Sequence, residues 1–417
     1  MSRRLVSGSQ AFSDIIELRG HIIDSFILPA IMDEVMDRGG EFLVQQIDVG
    51  RRKDEPSYAR IQITAPTAEL LEVMLDRAQR LGATSLRTEQ VRLEPAPADG
   101  VFPEGFYSTT NLETEVKLRG QWVAVAHPEM DCGIAVDLDQ ATARTVALAD
   151  VRSGELMVVG HEGVRVVPLE RPRRQPQVFA FMGSSVSSEK PKAVLIREIG
   201  QRLRDIRARG GRTLLVGGPV LIHTGMRDLV VRLIEAGYIQ CLFGGNGLAT
   251  HDIESDLFGT SLGVSQTEGV PLEGGHEHHL RAVNRIRRCG GIRAAVEQGV
   301  LRTGIMCACV KNEVEFVLAG SIRDDGPLPD VITDIVEAQS AMRRVVHKGI
   351  DLALILSSML HGIATGNLLP ASVTTVCVDI SPAVVTKLAD RGSWQTVGLV
   401  MDVEGFLREL CADLRLG

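Results

Sequence analysis

The reactive residue types of this chain concentrate in one stretch, Cys241 to Gly263, CLFGGNGLATHDIESDLFGTSLG. It opens as an apolar run, Tyr238 to Phe243, that reads as a buried strand and breaks at Gly244-Gly245-Asn246-Gly247. Behind the glycines stand Thr250, His251, Asp252 and Glu254. An imidazole beside two carboxylates can move protons to and from a substrate. A strand that ends in glycines lets backbone N–H groups approach a ligand, because no Cβ stands between them. In open α/β sheets ligands sit outside the carboxyl ends of the strands. The segment therefore reads as the floor of a nucleotide and substrate pocket.

Other candidates are scattered. The loop Gly50-Arg51-Arg52-Lys53-Asp54-Glu55-Pro56-Ser57 carries two guanidinium groups that could grip a carboxylate bidentately; its plain alternative is a solvated hairpin loop. Lys190 follows a Ser184–Ser188 run that reads either as an anion-binding turn or as a helix cap. His276, His278 and His279 form a dense run ahead of a helix. Metal binding is one reading, but acidic partners are not obviously placed, so surface chemistry is the expectation and no metal site is assigned. His127, Asp131 and Cys132 are pocket candidates of a kind that is more often structural.

Three regions position these groups. Residues 15–84 read as strand (Ile15 to Ile23), helix (Leu28 to Asp37), strand (Phe42 to Val49), strand (Tyr58 to Thr64) and helix (Ala68 to Leu81). That order predicts a ferredoxin-like or ACT-like α+β domain. Residues 85–175 hold short strands, among them Trp122 to Ala126, Cys132 to Leu138 and Leu156 to His161, and predict a small β-rich domain. A proline-stiffened linker, Arg171 to Pro176, follows. From 176 to 417 short apolar runs alternate with helical patterns. The strand candidates are Val178 to Met182, Thr213 to Val216, Tyr238 to Phe243, Phe316 to Ala319, Leu352 to Leu356, Val373 to Val378 and Val397 to Met401. Helical patterns between them include 193–208, 228–236, 279–298, 331–347 and 383–391. The fold class is therefore α/β, ending in a Rossmann-like, mainly parallel sheet with helices on both faces.

No G-x-G-x-x-G opens this last domain. Its strand ends nevertheless suit a dinucleotide. Phe243 leads to Asn246 and Gly247, Ala319 to a turn containing Asp325, and Leu356 to Ser357, Ser358, Met359 and Leu360 at a helix start. Free N–H groups at such a start receive pyrophosphate. Val378 ends at Asp379, and Met401 at Asp402 and Val403. A strand-end carboxylate can accept from ribose hydroxyls and disfavours the extra phosphate of NADP, so the expected cofactor is NAD.

Composition bounds the rest. The chain has 417 residues, a net charge of −8, 44% hydrophobic and 24% charged residues. That is an ordinary soluble composition, and the negative charge argues against nucleic acid as partner. The longest apolar runs fall far short of the ~20 residues that span a bilayer. No charged-then-apolar leader is evident. Seven scattered cysteines form no disulfide framework, which points to the cytoplasm.

Several long motifs resemble one family: HIIDSFILPAIMDEV, IDVGRRKDEPSYARI, FGGNGLATHDIESDLFGTSLG, HLRAVNRIRRCGGI, SIRDDGPLPDVITD, MLHGIATGNLLPA and VCVDISPAVVTKLADRGS. It is the family of the LOR/SDH bifunctional enzyme conserved region, and the chain is most similar to its archaeal-type ornithine cyclodeaminases. The similarity runs from about Leu18 to Leu410, with Gly247 where many relatives carry Ala. It implies bound NAD, contacted at Asn246, Gly247, Asp325, Ser357 to Leu360, Asp379, Asp402 and Val403, and conversion of L-ornithine to L-proline and ammonia. The implied route removes hydride from Cα, closes the ring through the δ-amine, expels ammonia and returns the hydride. His251, Asp252 and Glu254 are then the expected proton-transfer and ammonium-binding groups, and Arg51 or Arg52, with Lys190, the substrate-binding ones. A net amino-acid dehydrogenase of the saccharopine or lysine type and a non-catalytic amino-acid sensor are the alternatives. A homodimer or higher homo-oligomer is expected.

Overall fold

The computed structural model describes residues 12–23, 26–52, 55–85, 90–167, 192–324, 326–390 and 396–416. The chain divides into two compact units, residues 1–180 with 370–372, and 181–369 with 373–417.

The first unit opens with β1 (Phe12–Gly20), α1 (Ile27–Asp37), β2 (Glu41–Asp48), β3 (Ser57–Ala65), α2 (Ala68–Arg80) and β4 (Thr84–Ser85). Strand order β2-β3-β1-β4, with β1 and β3 antiparallel, is the ferredoxin-like arrangement. Alternation explains it. Ala59, Ile61 and Ile63 of β3 point into a core shared with Ile31 and Val35 of α1 and Met74 and Leu75 of α2. The first strand begins three residues before its expected start, and the short β4, which carries no sequence signal, completes the sheet. The unit continues with β5 (Arg92–Pro95), β6 (Thr114–Leu118), β7 (Gln121–Ala126), β8 (Gly133–Asp137), β9 (Thr142–Val146), β10 (Leu156–Val159) and β11 (Val164–Val166). These form one sheet in the order β11-β6-β7-β9-β8-β10-β5.

In the second unit come α3 (Lys192–Ala208), β12 (Thr213–Gly217), α4 (Val220–His223), α5 (Arg227–Glu235), β13 (Cys241–Gly245), α6 (Asn246–Phe258), β14 (Thr260–Ser261), β15 (Val264–Ser265), α7 (His278–Cys289), α8 (Ile292–Glu297), α9 (Ile305–Lys311), β16 (Glu315–Ala319), β17 (Val331–Ile332), α10 (Ile335–Val346), β18 (Leu352–Leu356), α11 (Leu360–Leu368), β19 (Thr374–Asp379), α12 (Pro382–Asp390), β20 (Thr396–Val400) and α13 (Val403–Asp413). Among the described residues the main sheet runs β17-β16-β13-β12-β18-β19-β20, and every neighbouring pair is parallel. Strands leave β12 in one direction up to β17, then return to its other side as β18. That reversal is the Rossmann switch point. Strands β12 and β18 are buried along their whole length, which is why they read as unbroken apolar runs. One face of the sheet packs on Met342 and Val345 of α10, Leu368 of α11 and Val385 of α12.

The single helix expected over 279–298 is two. Gly290 and Gly291 adopt φ of +93° and +138° between α7 and α8, a conformation that ends a helix and that side chains resist. The strand expected at 178–182, the 171–176 linker and the Ser184–Ser188 turn lie outside the described residues.

Candidate functional site

The C-terminal ends of β12 and β18 meet at the switch point. Gly218 follows β12 and donates to the Leu356 carbonyl at 3.1 Å. A Cβ on Gly218 would lie 1.9 Å from the Ser357 carbonyl oxygen, so only glycine permits this approach. Ser357 itself takes φ +46°, a strained value for a residue with a side chain. The turn Gly217-Gly218-Pro219 was missed as a site element. Its signal was legible: an apolar strand, Thr213 to Val216, breaking at two glycines.

Helix starts around this point differ in a way that matters. Those of α6 and α11 carry no side-chain cap, leaving their first N–H groups for another acceptor. Those of α10 and α13 are capped by Asp334 and Asp402. Large apolar side chains stand exposed nearby in the chain, Met359 and Leu360 at the start of α11 and Ile380 after β19. The Asp379 carboxylate ends β19 and accepts from the Ser381 N–H at 2.8 Å. Uncapped N–H groups, a strand-end carboxylate and exposed apolar faces form a donor and acceptor set that fits a dinucleotide.

The other expected cofactor contacts fall as follows. Asn246 opens α6, and its Oδ1 accepts from Leu328 N–H at 3.1 Å and Thr250 Oγ1 at 3.2 Å. It thus ties the loop after β16 to the helix. Gly247 is open, with its nearest neighbour, Pro219, 3.8 Å from a notional Cβ. Gly244 and Gly245 make room for side chains rather than for a ligand. A Cβ on the first would lie 2.6 Å from Leu248, and one on the second 2.9 Å from His361. Asp402 holds Gly405 N–H at 3.3 Å as the cap of α13, and the Val403 side chain is buried, so only its backbone can face a ligand. Asp325 and Lys190 lie outside the described residues. Arg51 and Arg52 belong to the first unit, in an exposed turn whose two N–H groups donate to Glu55 at 2.8 and 3.2 Å.

The cluster of reactive residue types lies on α6. His251 and Glu254, three apart, share one side of the helix, and His251 Nδ1 lies 2.8 Å from Glu254 Oε2. Glu254 is fully buried. Its other oxygen accepts from Thr260 Oγ1 at 2.8 Å and from Gly263 N–H at 2.9 Å. Burial pushes the Glu254 carboxyl up, but the bonds from His251, Gly263 and Thr260 outweigh it and hold it below the ordinary carboxylate range. The carboxylate orients His251 with the proton on Nδ1, leaving Nε2 as the basic nitrogen.

Further imidazoles converge here. His223, at the end of α4, packs edge-to-face on His251 with ring centroids 4.8 Å apart, and its Nδ1 lies 2.6 Å from Ser261 Oγ. His278 Nδ1 lies 2.8 Å from Thr260 Oγ1, and its ring stacks on Phe258. The His279 ring centroid is 6.5 Å from that of His251. The histidine run read as surface chemistry therefore turns two members toward the centre; only His276 is left exposed. Among the described residues no group of three or more His, Cys, Asp and Glu is arranged to hold a metal. His223 escaped the sequence reading, since a lone histidine after VLI carries no pattern. His361 escaped it too; it fills the space above Gly245.

Asp252 does not join the centre. It is fully buried and accepts from Arg227 Nε at 2.7 Å and from the N–H groups of Ile305 and Met306 at 2.9 and 2.8 Å. Burial pushes its pKa up, opposed by Arg227 and the two N–H groups. Every bond it makes is structural: it seats the start of α9 on α6. Gly304 lies between, at φ +99°, where a Cβ would come within 2.2 Å of Arg227.

His127, Asp131 and Cys132 belong to the first unit. The first two adopt positive φ, and Cys132 is buried with its N–H bonded to Thr109 Oγ1 at 3.1 Å. They act as turn and core residues.

This arrangement can be set beside known proteins. Residues 197–410 match the family described as arginine dihydrolase ArgZ-like, C-terminal, Rossmann fold. The chain belongs to the ArgZ-like C-terminal family. Its residues 13–112 match the LOR/SDH bifunctional enzyme conserved region, and 113–196 the first region of the ArgZ-like C-terminal part, so the resemblance carried by the motifs holds. An ornithine cyclodeaminase of Methanothermobacter thermautotrophicus is 53% identical over 96% of this chain and 97% of its own length. The apo crystal structure of ArgZ, a cyanobacterial arginine dihydrolase, is 38% identical with a TM-score of 0.84, over 100% of this chain and 60% of that one. A ternary complex of AgrE with ornithine and NAD+ is 41% identical with a TM-score of 0.53, over 98% of this chain and 58% of that one. The ArgZ-like chain described here thus spans nearly the full archaeal relative and little more than half of the cyanobacterial proteins.

Proposed function

We propose that this chain is an NAD-dependent ornithine cyclodeaminase that converts L-ornithine to L-proline and ammonia. The observation that carries this is its 53% identity to an archaeal protein of that name over 96% of the chain. The arginine dihydrolase activity of the longer relatives is not part of the proposal. Held at these strand tips, NAD would supply a reversible hydride acceptor that is regenerated within the same turnover.

The protein's own part is to position and to move protons. The uncapped starts of α6, at Asn246 and Gly247, and of α11, at Ser357 to Leu360, hold the pyrophosphate. Asp379 accepts from a ribose, and the backbone at Asp402 and Val403 closes that side. His251, oriented by Glu254, takes a proton from a substrate amine. Asp252 has no place in this chemistry. Arg51 or Arg52 and Lys190 remain the proposed substrate-carboxylate contacts. The enzyme works as a homo-oligomer in the cytoplasm; all seven cysteines are free, and among the described residues no helix is long and apolar enough to cross a membrane.

The test is incubation of purified protein with ornithine and catalytic NAD. Equal yields of proline and ammonia with no net NADH are expected. Stoichiometric NADH would instead mark a net dehydrogenase, and an unchanged substrate a sensor.

A further inference from the structure

We infer that His223 is a second catalytic proton acceptor, paired with His251, and that the two imidazoles together hold both protons that the reaction must remove and later return. This rests on the cyclodeaminase reading.

The chemistry sets the demand. Ornithine enters with both amines protonated, since an ordinary alkylammonium titrates near ~10.4. The α-nitrogen must lose a proton before hydride can leave Cα. The δ-nitrogen must lose another before its lone pair can attack that carbon. A bond then forms between the δ-nitrogen and Cα. A proton passes from ring nitrogen to the α-nitrogen, the bond from Cα to the α-nitrogen breaks, and ammonia leaves. Hydride returns to Cα. Of the two stored protons, one goes to ammonia and the other to the ring nitrogen, giving ammonium and zwitterionic proline. One histidine holds one proton, so a lone His251 leaves the second without a place.

The geometry supplies it. The rings of His223 and His251 are 4.8 Å apart and steeply tilted, at 63°. They sit on the helices that follow the adjacent strands β12 and β13. Each has its Nδ1 engaged, by Ser261 Oγ at 2.6 Å and Glu254 Oε2 at 2.8 Å. Among the described residues neither Nε2 has a hydrogen-bond partner. The partner of His223 suits an Nε2 that changes charge: the Ser261 hydroxyl oxygen can accept from Nδ1–H in the neutral and in the protonated ring alike, which leaves Nε2 as the nitrogen that takes the proton. Burial first, and then His251, hold the His223 pKa down, while Glu254 raises it; neutral at rest, the ring is ready to accept. The Glu254 carboxylate offsets the repulsion when both rings are charged. His279, 6.5 Å from His251, and His278, reached through Thr260, are the other titratable groups around the pair.

The experiment compares wild type with His223→Gln and Ser261→Ala in stopped-flow mixing with ornithine. His223 takes the δ-proton and His251 the α-proton, so His223→Gln lowers kcat by about 10²–10³-fold, with KM moving far less. Reduced nicotinamide accumulates transiently, because ring closure is slowed after hydride has left. Activity recovers as pH rises toward the amine's own pKa, and Ser261→Ala shows a weaker form of the same pattern. No accumulation, with a pH profile parallel to wild type, would overturn the inference. Imidazole titration by NMR gives a readout independent of turnover. The His223 ring should titrate below the ordinary histidine range and move up in His251→Gln, which removes its neighbour's charge; a titration unmoved by that change counts against the pair. Failure of the cyclodeaminase reading is separate, because wild type itself would then form no proline.

Discussion

Helix α6 buries two carboxylates two residues apart, and its two sides treat them differently. On one side Asp252 meets a guanidinium and two backbone N–H groups, so its charge is fully matched by fixed donors. On the other, Glu254 meets an imidazole, a hydroxyl and backbone N–H groups. Two of those partners, His251 and Thr260, bond onward or can change protonation. Burial is equal, at 0% exposure for both. The partners differ in kind: permanent donors make Asp252 an anchor, while Glu254 has an imidazole partner, as the proposed proton-handling pair requires.

The sharpest way to break that contrast is Asp252→Ala. It removes the carboxylate that accepts from Arg227 Nε and from two buried N–H groups, and unfolding in urea should show a loss of about 3–5 kcal/mol. An unchanged midpoint would make Asp252 dispensable and reopen it as a chemical group. Next comes His251→Gln, expected to cut proline formation by about 10²–10⁴-fold while the melting curve stays close to wild type. A collapse of stability instead of rate would turn the pair into a second anchor.

A smaller effect is expected at the switch point. Gly218→Ala forces the turn away from the Ser357 carbonyl, and calorimetric titration should find NAD bound about tenfold more weakly, or about 1.4 kcal/mol. Retained affinity would mean that the crevice lies elsewhere. The smallest is the pH dependence of Glu254. Its folded pKa is depressed, so its contribution is present above the unfolded value of ~4.3 and is lost as pH falls through the folded one. Glu254→Gln should therefore be less stable than wild type near neutrality, with the gap narrowing below about pH 4. A gap that stays constant with pH would show that the carboxylate charge contributes nothing.

Much of the site could be read along the chain because it obeys local rules. His251 and Glu254 are three apart, which a helix turns into neighbours, whereas residues 252 and 254 project about 200° apart at 3.6 residues per turn. Applied to the HDIE run, that periodicity alone separates Asp252 from the pair, once the segment is taken as helix. Asp402 and Asp379 likewise stand where strand ends must place them. His223 was not legible, because its meeting with His251 depends on β12 and β13 lying side by side, and no spacing in sequence encodes that. The same holds for His361 over Gly245 and for the two histidines of α7, which look like a solvated run until the turn at 260–263 brings Thr260 between His278 and Glu254.

By itself the sequence determined most of the element types, the ferredoxin-like start, the parallel sheet and the strand tips that suit a dinucleotide. These follow from side-chain periodicity and from glycine and proline, which act over a few residues. Only the tertiary structure decided which buried carboxylate is an anchor, which histidines share a centre and which glycine lets two backbones touch. Those outcomes depend on what a residue meets across the fold, and hydrogen-bond and burial energies are set by that partner and not by the neighbour in the chain.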